Sequence, residues 1–218
     1  MTSYIEPLAQ ESTPSIIADK LRKAIGHGEF KPGAQLVEAD LARKLRVSRG
    51  PLREGMQRLT QEGLLVSIRN RGLFVIDMTP ADIRDMYLAR EAIERAAAQQ
   101  IFLGDHQAAG KALHAVCDQM NAADGDPAAV GELDIAFHEL LVRLAGSPRL
   151  SRMHQTSITE TRMCIHALEA TYAADAADDA RAAEHTALAE AIMTGDAELT
   201  DELLVAHMDD AIQRLTSA

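Results

Sequence analysis

The chain has 218 residues and carries 22 Lys and Arg against 33 Asp and Glu, a net charge of −11. No apolar run approaches the roughly 20 residues of a membrane span, and nothing resembles a signal peptide, so we expect a cytoplasmic protein without a membrane partner. Cys117 and Cys164 are widely spaced in helical patterns, which predicts buried free thiols rather than a disulfide.

The charge is divided unevenly along the chain. Residues 1–78 contain 12 basic and 9 acidic side chains, a net of +3, whereas residues 79–218 contain 10 and 24, a net of −14. Thr79 can cap a new helix at this boundary. We therefore predict two domains, a basic head at 1–78 and an acidic body at 79–218.

The segment from Leu36 to Gly63 has the pattern of a helix–turn–helix. Leu36, Leu41 and Leu45 give the first helix one buried stripe, and Val47 fills the turn. Ser48 can cap the second helix. The inward stripe of that helix is formed by Leu52, Met56 and Leu59. A neighbouring face carries Arg49, Arg53 and Gln57. Such donors suit phosphate oxygens and guanine edges in a major groove. Two arginines alone, however, more often belong to a helix face that is simply exposed to solvent.

A basic β-hairpin follows and decides between these readings. Leu64–Ile68 and Leu73–Ile76 have the pattern of two short strands, joined by a tip that carries Arg69 and Arg71. A helix–turn–helix followed by such a hairpin is a winged helix, whose tip can reach DNA backbone or minor groove. The residues predicted to contact DNA are Arg46, Ser48, Arg49, Arg53, Gln57, Arg69, Arg71 and Gly72.

Residues 15–76 resemble the GntR family of bacterial transcription regulators. The resemblance rests on "LARKLRVSRGPLREGMQRLTQEGLL" and on the wing "RGLFV". The sequence departs from the family pattern at Arg46, where Gly is usual, and at Gly55, where Ala is usual and where Gly should weaken the helix by roughly 1 kcal/mol. The resemblance implies regulation of transcription.

From Pro80 onward, apolar residues recur every three or four positions and strand patterns stop. Breakers predict six helices, at about 80–103, 106–122, 127–145, 148–170, 175–194 and 196–216. Their short connections favour antiparallel neighbours. The predicted fold is therefore mainly α, a winged helix-turn-helix followed by an all-α antiparallel six-helix bundle.

Four polar residues border apolar stripes in this bundle. Asp134 and His138 are four apart on one helix face. His185 and His207 lie at nearly equal distances on either side of the chain reversal at 194–196, so they should face one another at the same height. One carboxylate and three imidazoles form a ligand set for a divalent metal ion, Zn²⁺ first, with Ni²⁺, Co²⁺ or Mn²⁺ as alternatives. Each histidine alone is more often a satisfied core residue.

Residues 80–216 also resemble the ligand-binding bundle of the FadR-type (FCD) branch of the GntR family. The matching segments are "LDIAFHELLVRLAGSPRL" and "AAEHTALAEAIMTGD". The resemblance implies a metal held by Asp134, His138, His185 and His207. Arg90, in a segment like the family's R-x-x-x-E signature, is either a clamp for an effector carboxylate or half of a surface pair with Glu94. Arg162 is a second candidate for the effector.

These observations predict a homodimeric repressor that binds a palindromic operator in double-stranded DNA and responds to a small carboxylate or sugar acid. Two other classes stay open. A metal-dependent hydrolase would use the same ligands to activate water, but it does not explain the basic head. A DNA-binding protein with a purely structural metal would show no effector response.

Overall fold

The computed structural model describes residues 12–123, 125–167 and 180–217. The chain divides into two compact units, residues 1–77 and 78–218, one residue from the predicted boundary. The mainly helical fold is confirmed: the described residues form nine helices and one small sheet of three strands. None of the helices in these ranges is long and apolar enough to cross a membrane.

The first unit is a helix–turn–helix with a β wing. Its elements are α1 (Thr13–Gly26), β1 (Gln35–Leu36), α2 (Glu38–Leu45), α3 (Arg49–Gln61), β2 (Leu65–Ile68) and β3 (Gly72–Val75). The sheet order is β1-β3-β2, and both pairs are antiparallel. The predicted inward residues of α3, Leu52, Met56 and Leu59, are all buried in this unit.

The placement of Leu36 corrects the sequence prediction. Leu36 is not part of the first helix of the motif, because it lies in β1 opposite Leu73 of β3. Helix α2 begins two residues later, after Val37 at its N-cap position. Strand pairing buries Leu36, and a strand of two residues has no period that could separate it from the helical stripe that follows.

Gly55 allows α1 and α3 to pack closely. A Cβ at this position would lie 2.8 Å from Cγ2 of Ile17 and 3.1 Å from the carbonyl oxygen of Pro14. Both distances are shorter than ordinary contacts, so the sequence argument that Gly only weakens the helix is incomplete. The glycine costs helix propensity and removes a clash.

The second unit is the helical bundle. Its elements are α4 (Pro80–Phe102), α5 (His106–Ala122), α6 (Pro127–Leu144), α7 (Pro148–Ala167), α8 (Ala180–Thr194) and α9 (Ala197–Thr216). Parts of two predicted helices, 168–170 and 175–179, lie outside the described residues. Thr79 caps α4 in a capping box: its hydroxyl accepts the N–H of Asp82, whose carboxylate accepts the N–H of Thr79.

The core of the bundle joins five of its helices. One buried cluster brings together Leu113, Phe137, Leu141, Ile192 and Leu204, with Ala98 of α4. A Cβ on Gly110 of α5 would overlap Met193 of α8, so this glycine lets the two helices touch. Both cysteines are buried and free, as predicted. Burial raises the thiol pKa of Cys117 to about 11 and that of Cys164 to about 12, so neither is a reactive thiolate.

Candidate DNA-reading surface and metal centre

Helix α3 presents the predicted polar face to solvent. Arg49, Arg53 and Gln57 are exposed, on the face next to the buried stripe of the same helix. Ser48 occupies the N-cap position, but its hydroxyl makes no capping hydrogen bond to the helix. The geometry therefore leaves that hydroxyl available to a ligand at the start of α3.

Arg53 is oriented by an ion pair within the unit. Its Nε donates to Oε2 of Glu38, in the first turn of α2, at 2.7 Å. This bond uses only one of the five guanidinium donors, so both Nη groups remain for a base edge or a phosphate. Glu38 limits the directions in which the arginine can point.

Arg46 lies in the turn before α3, at the position where the family pattern has Gly. This residue ends α2 in the left-handed region, with φ 55° and ψ 44°. Glycine adopts that conformation at little steric cost, whereas a residue with a Cβ does so with strain. Arg46 therefore gains an exposed cation at the expense of local stability.

The tip of the wing is a tight turn between β2 and β3. Asn70 and Gly72 both have positive φ, 61° and 107°. The Arg71 guanidinium lies 5.3 Å from the centroid of the Phe74 ring, a cation–π distance, and Nε2 of Gln35 donates to the Arg71 carbonyl at 2.5 Å. Arg69 is exposed beside them. Gly72 gives the tip its shape, and the two arginines give it its charge.

The bundle brings the four predicted metal ligands together. Asp134 and His138 lie on α6, His185 on α8 and His207 on α9, and all four are buried. One ligand atom from each lies within 4.8 Å of all the others. The rings of His185 and His207 are 4.7 Å apart between centroids, which agrees with the equal heights expected from their spacing.

Hydrogen bonds fix the orientation of all three imidazoles. Nδ1 of His138 lies 2.6 Å from Oε2 of Glu94, and Nδ1 of His207 lies 3.0 Å from Oε2 of Glu184. Nδ1 of His185 lies 2.8 Å from the Arg181 carbonyl oxygen. These oxygens can only accept, so each Nδ1 carries the proton and donates. In the neutral ring, Nε2 then has an unprotonated lone pair.

The three Nε2 atoms converge. Nε2 of His138 lies 3.1 Å from Nε2 of His207 and 3.3 Å from Nε2 of His185, which in turn lies 3.3 Å from Oδ1 of Asp134. Three lone pairs and a carboxylate that face one another without a proton repel each other. Two nitrogens bound to one zinc ion at about 2.0–2.1 Å would lie about 3.0–3.4 Å apart. The donor set and its spacing fit a divalent metal ion.

The protonation states suit metal binding. Burial, and then the nearby Arg90 charge, lowers the pKa of His138 to about 3. Burial, and then the charge of His207, lowers the pKa of His185 to about 4. Burial acts to raise the pKa of Asp134, but favourable electrostatic interactions of its carboxylate with the surrounding histidines and with Arg90 hold it below its usual range. Neutral imidazoles and an ionised carboxylate are the forms that ligate.

Glu94 connects this centre to a second layer of polar groups. Its Oε1 accepts from Nε of Arg90 at 2.7 Å and from Nε2 of His154 at 3.0 Å, while Oε2 accepts from His138. Sequence reasoning did not identify His154 as part of this layer. Glu94 was considered only as the partner of Arg90. The Glu of the R-x-x-x-E segment could have indicated a functional role for Glu94. No spacing rule links α4 to His154 on α7, so His154 could not be found in this way.

Arg90 is paired, but not on the surface. Its side chain is 1% exposed and that of Glu94 is fully buried, which excludes the surface-pair reading. Its Nη1 also lies 3.4 Å from the hydroxyl oxygens of Tyr87 and Thr161. Its Nη2 is buried and has no hydrogen-bond partner within the described part of the chain. A buried donor without an acceptor is costly, so Nη2 is suited to receive one from a ligand.

Arg162, unlike Arg90, already has carboxylate partners on more than one of its nitrogen atoms. Its Nε lies 3.2 Å from Oε2 of Glu132, and its Nη2 lies 3.6 Å from Oε1 of Glu139. Both carboxylates are on α6. The guanidinium is thus already paired with protein carboxylates, and no contact links it to the four clustered side chains.

Both units match known families. Residues 15–75 match the family described as "Bacterial regulatory proteins, gntR family", and residues 85–210 match the FCD domain. The chain belongs to the GntR family and carries an FCD domain. It is a DNA-binding transcription regulator, as its sequence predicted.

Full-length relatives support this assignment. A GntR transcriptional regulator from Rhodococcus sp. RHA1 has a similar structure, with a TM-score of 0.79 and 29% identity over 95% of this chain and 99% of that one. The HTH-type transcriptional regulator YdhC of Bacillus subtilis is 25% identical over 201 residues, 90% of this chain and 88% of its own length. The galactonate operon transcriptional repressor of Escherichia coli is 26% identical over 216 residues, covering 89% and 93%.

Proposed function

We propose that this regulator is a cytoplasmic, homodimeric repressor whose operator affinity is controlled by a small organic acid bound at a divalent metal in the bundle. The single observation that carries the proposal is the convergence of three Nε2 atoms on one carboxylate, with each ring held at Nδ1 by a hydrogen bond. A bound cation would give this arrangement a physical reason, because it would offset the repulsion between the converging lone pairs.

The residues that would hold the ion are Asp134, His138, His185 and His207. Three nitrogens and one oxygen suit Zn²⁺ first, and Ni²⁺, Co²⁺ or Mn²⁺ next. When bound, an ion of this kind offers a Lewis-acid centre to the carboxylate or hydroxyl oxygens of an acid. Relatives and family are regulators, which favours a sensing role for this centre over hydrolysis.

Arg90 supports an acidic effector. Its buried Nη2 lacks an acceptor among the described residues, and Arg90 shares Glu94 with His138, so it lies close to the proposed metal ligands. A carboxylate that accepted a hydrogen bond from Nη2 would satisfy the donor and balance its charge. Arg162, whose partners are already carboxylates, is no longer proposed as an effector residue.

The effector can be found by a thermal-shift screen of zinc-loaded protein against small carboxylates and sugar acids. A hit should raise the melting temperature of the wild type and have little effect on Arg90→Lys, which keeps the charge but loses the planar fork. Arg90→Lys should retain its zinc. If no acid in the screen binds and DNA affinity never changes, the metal is structural and the sensor proposal is wrong.

We propose that the DNA contacts are made by α3 and the wing. Arg49→Ala or Arg53→Ala should each weaken binding to duplexes selected from a random pool by roughly 1–3 kcal/mol, because each removes a guanidinium suited to a guanine edge. Fluorescence anisotropy at fixed salt measures this, with Lys111→Ala, an exposed cation of the bundle, as the control. Wild-type affinity in both arginine variants would remove α3 from the recognition role.

The dimer and its palindromic operator are tested together. Two copies of the winged helix would read two half-sites related by the symmetry of the dimer. Sedimentation should therefore give a dimer at micromolar concentration, and the selected duplexes should be two-fold symmetric. A monomer both free and on selected DNA contradicts this part of the proposal.

A further inference from the structure

A groove of about 320 Å³ lies between α6 and α7, apart from the four clustered metal ligands. From α6 it is lined by Val142 and Arg143, and from α7 by Ser151, Arg152, Gln155 and Ile158. The α7 residues recur at intervals of three and four, so one face of that helix forms a wall. The volume is within the range of small-molecule sites.

The charge of the groove is unusual for this unit. Residues 79–218 carry a net charge of −14, and several of their arginines pair with carboxylates, as Arg95 does with Asp201 at 2.6 Å. Arg143 and Arg152 are exposed, and neither has a carboxylate partner among the described residues. The one acid that lines the groove, Glu139, faces Arg162 at 3.6 Å. The groove is therefore a positive site on an acidic surface.

The charged and apolar residues that line the groove indicate the chemical class of its ligand. Two guanidiniums each suit a carboxylate, because their planar donors match its two oxygens. Val142 and Ile158 also line the groove and make its base apolar, although each is at most 2% exposed. We infer that this groove binds a short dicarboxylate. This site is separate from the effector position proposed at the metal and does not depend on it.

The floor of the groove reaches the polar network of the bundle. His154 lines it, is 2% exposed, and donates from Nε2 to Oε1 of Glu94 at 3.0 Å. The other oxygen of Glu94 accepts from His138. The groove and the proposed metal ligands are thus linked by hydrogen bonds from His154 and His138 to Glu94, so the experiment must distinguish the two positions.

The test is calorimetric titration of the full-length protein with glutarate, and with its uncharged diamide as the ligand control. Glutarate should bind the wild type and the diamide should not. Arg143→Ala and Arg152→Ala should each weaken glutarate binding at least tenfold. Arg149→Ala is the matched control, since this exposed arginine begins the same helix but does not line the groove, and it should change the affinity less than twofold.

A metal-site variant distinguishes the two positions. Glutarate should bind His185→Ala/His207→Ala within threefold of the wild type, even if that variant has lost its metal. Binding that survives both arginine substitutions and disappears in the histidine variant would place glutarate at the metal centre and overturn the inference. Absence of binding to the wild type would overturn it as well. Both results concern glutarate in the groove, so the proposal that another acid binds at the metal centre is tested separately.

Discussion

Replacing Glu94 by Gln should weaken metal binding without removing any metal ligand. The carboxylate accepts from three donors: Nδ1 of His138, Nε2 of His154 and Nε of Arg90. A glutamine has one acceptor oxygen, and its NH₂ group would face a donor at one of these contacts. The variant therefore keeps the volume of the side chain but cannot hold the imidazole of His138 as firmly.

The magnitude follows from the same contacts. Loss of a hydrogen bond that orients a ligating histidine typically lowers metal affinity by about 10–100-fold, or roughly 1.4–2.7 kcal/mol. The substitution also leaves the buried Arg90 charge without its counter-ion, which should cost about 3–5 kcal/mol of folding free energy. Competition with a chelator gives the first quantity, and urea unfolding of metal-free protein gives the second.

Glu184→Gln is the matched variant. Glu184 also accepts from a metal-site imidazole, at Nδ1 of His207, but its side chain is 34% exposed. Its next contact among the described residues is with Arg214 at 3.7 Å. A glutamine oxygen can keep the bond to His207. We expect at most a threefold loss of metal affinity there and little change in stability. Wild-type affinity and stability in Glu94→Gln would refute the reasoning that Glu94 positions His138.

Three further predictions concern stability. Gly55→Ala should destabilise the protein by roughly 1–2 kcal/mol, because the clash with α1 outweighs the gain in helix propensity. Gly50→Ala, whose Cβ would meet nothing within 4 Å, should instead stabilise it by up to about 1 kcal/mol. Urea unfolding compares the two variants, and equal changes in unfolding free energy would contradict the packing argument. Arg46→Gly should stabilise the protein by roughly 0.5–1 kcal/mol, because glycine relieves the strain of the left-handed conformation. Urea unfolding measures this as well. A loss of stability would show that contacts of the arginine side chain outweigh the strain. Metal-free protein should lose roughly 3 kcal/mol of folding free energy between pH 6.5 and pH 5. The pKa values of His138 and His185 are lowered to about 3 and about 4 in the folded state but lie near 6.5 in the unfolded chain, so only the unfolded chain gains their protons over this range. A free energy of unfolding that does not change with pH would mean that these imidazoles are not buried in neutral form.

Much of the fold could be predicted because its patterns are local. The apolar period of α3, the basic hairpin and the breakers between the bundle helices are each contained in a short segment. Strand β1 was missed since two residues have no period, and its partner Leu73 lies 37 positions away in the sequence. The reason for Gly55 was missed because it depends on how closely Ile17 approaches.

The cluster of Asp134, His138, His185 and His207 was predictable in part, and its surroundings were not. Asp134 and His138 share one helix face, and a single reversal sets His185 against His207, so local rules give two pairs. That the two pairs meet was implied by the resemblance to the FCD bundle. The partners behind the imidazoles come from other helices: Glu94 from α4, and His154 from α7. Contacts between distant helices have no signature in one sequence, which is why the carboxylate that orients His138 was not assigned this role.

We propose that the bundle holds one divalent metal ion per chain at Asp134, His138, His185 and His207. Elemental analysis of protein purified without chelators tests it most directly. We expect one equivalent in the wild type and in His27→Ala/His114→Ala, which lacks two histidines outside the cluster, and less than a tenth in His185→Ala/His207→Ala. Full occupancy in that last variant, or a wild type that takes up no metal when it is offered, would contradict the account.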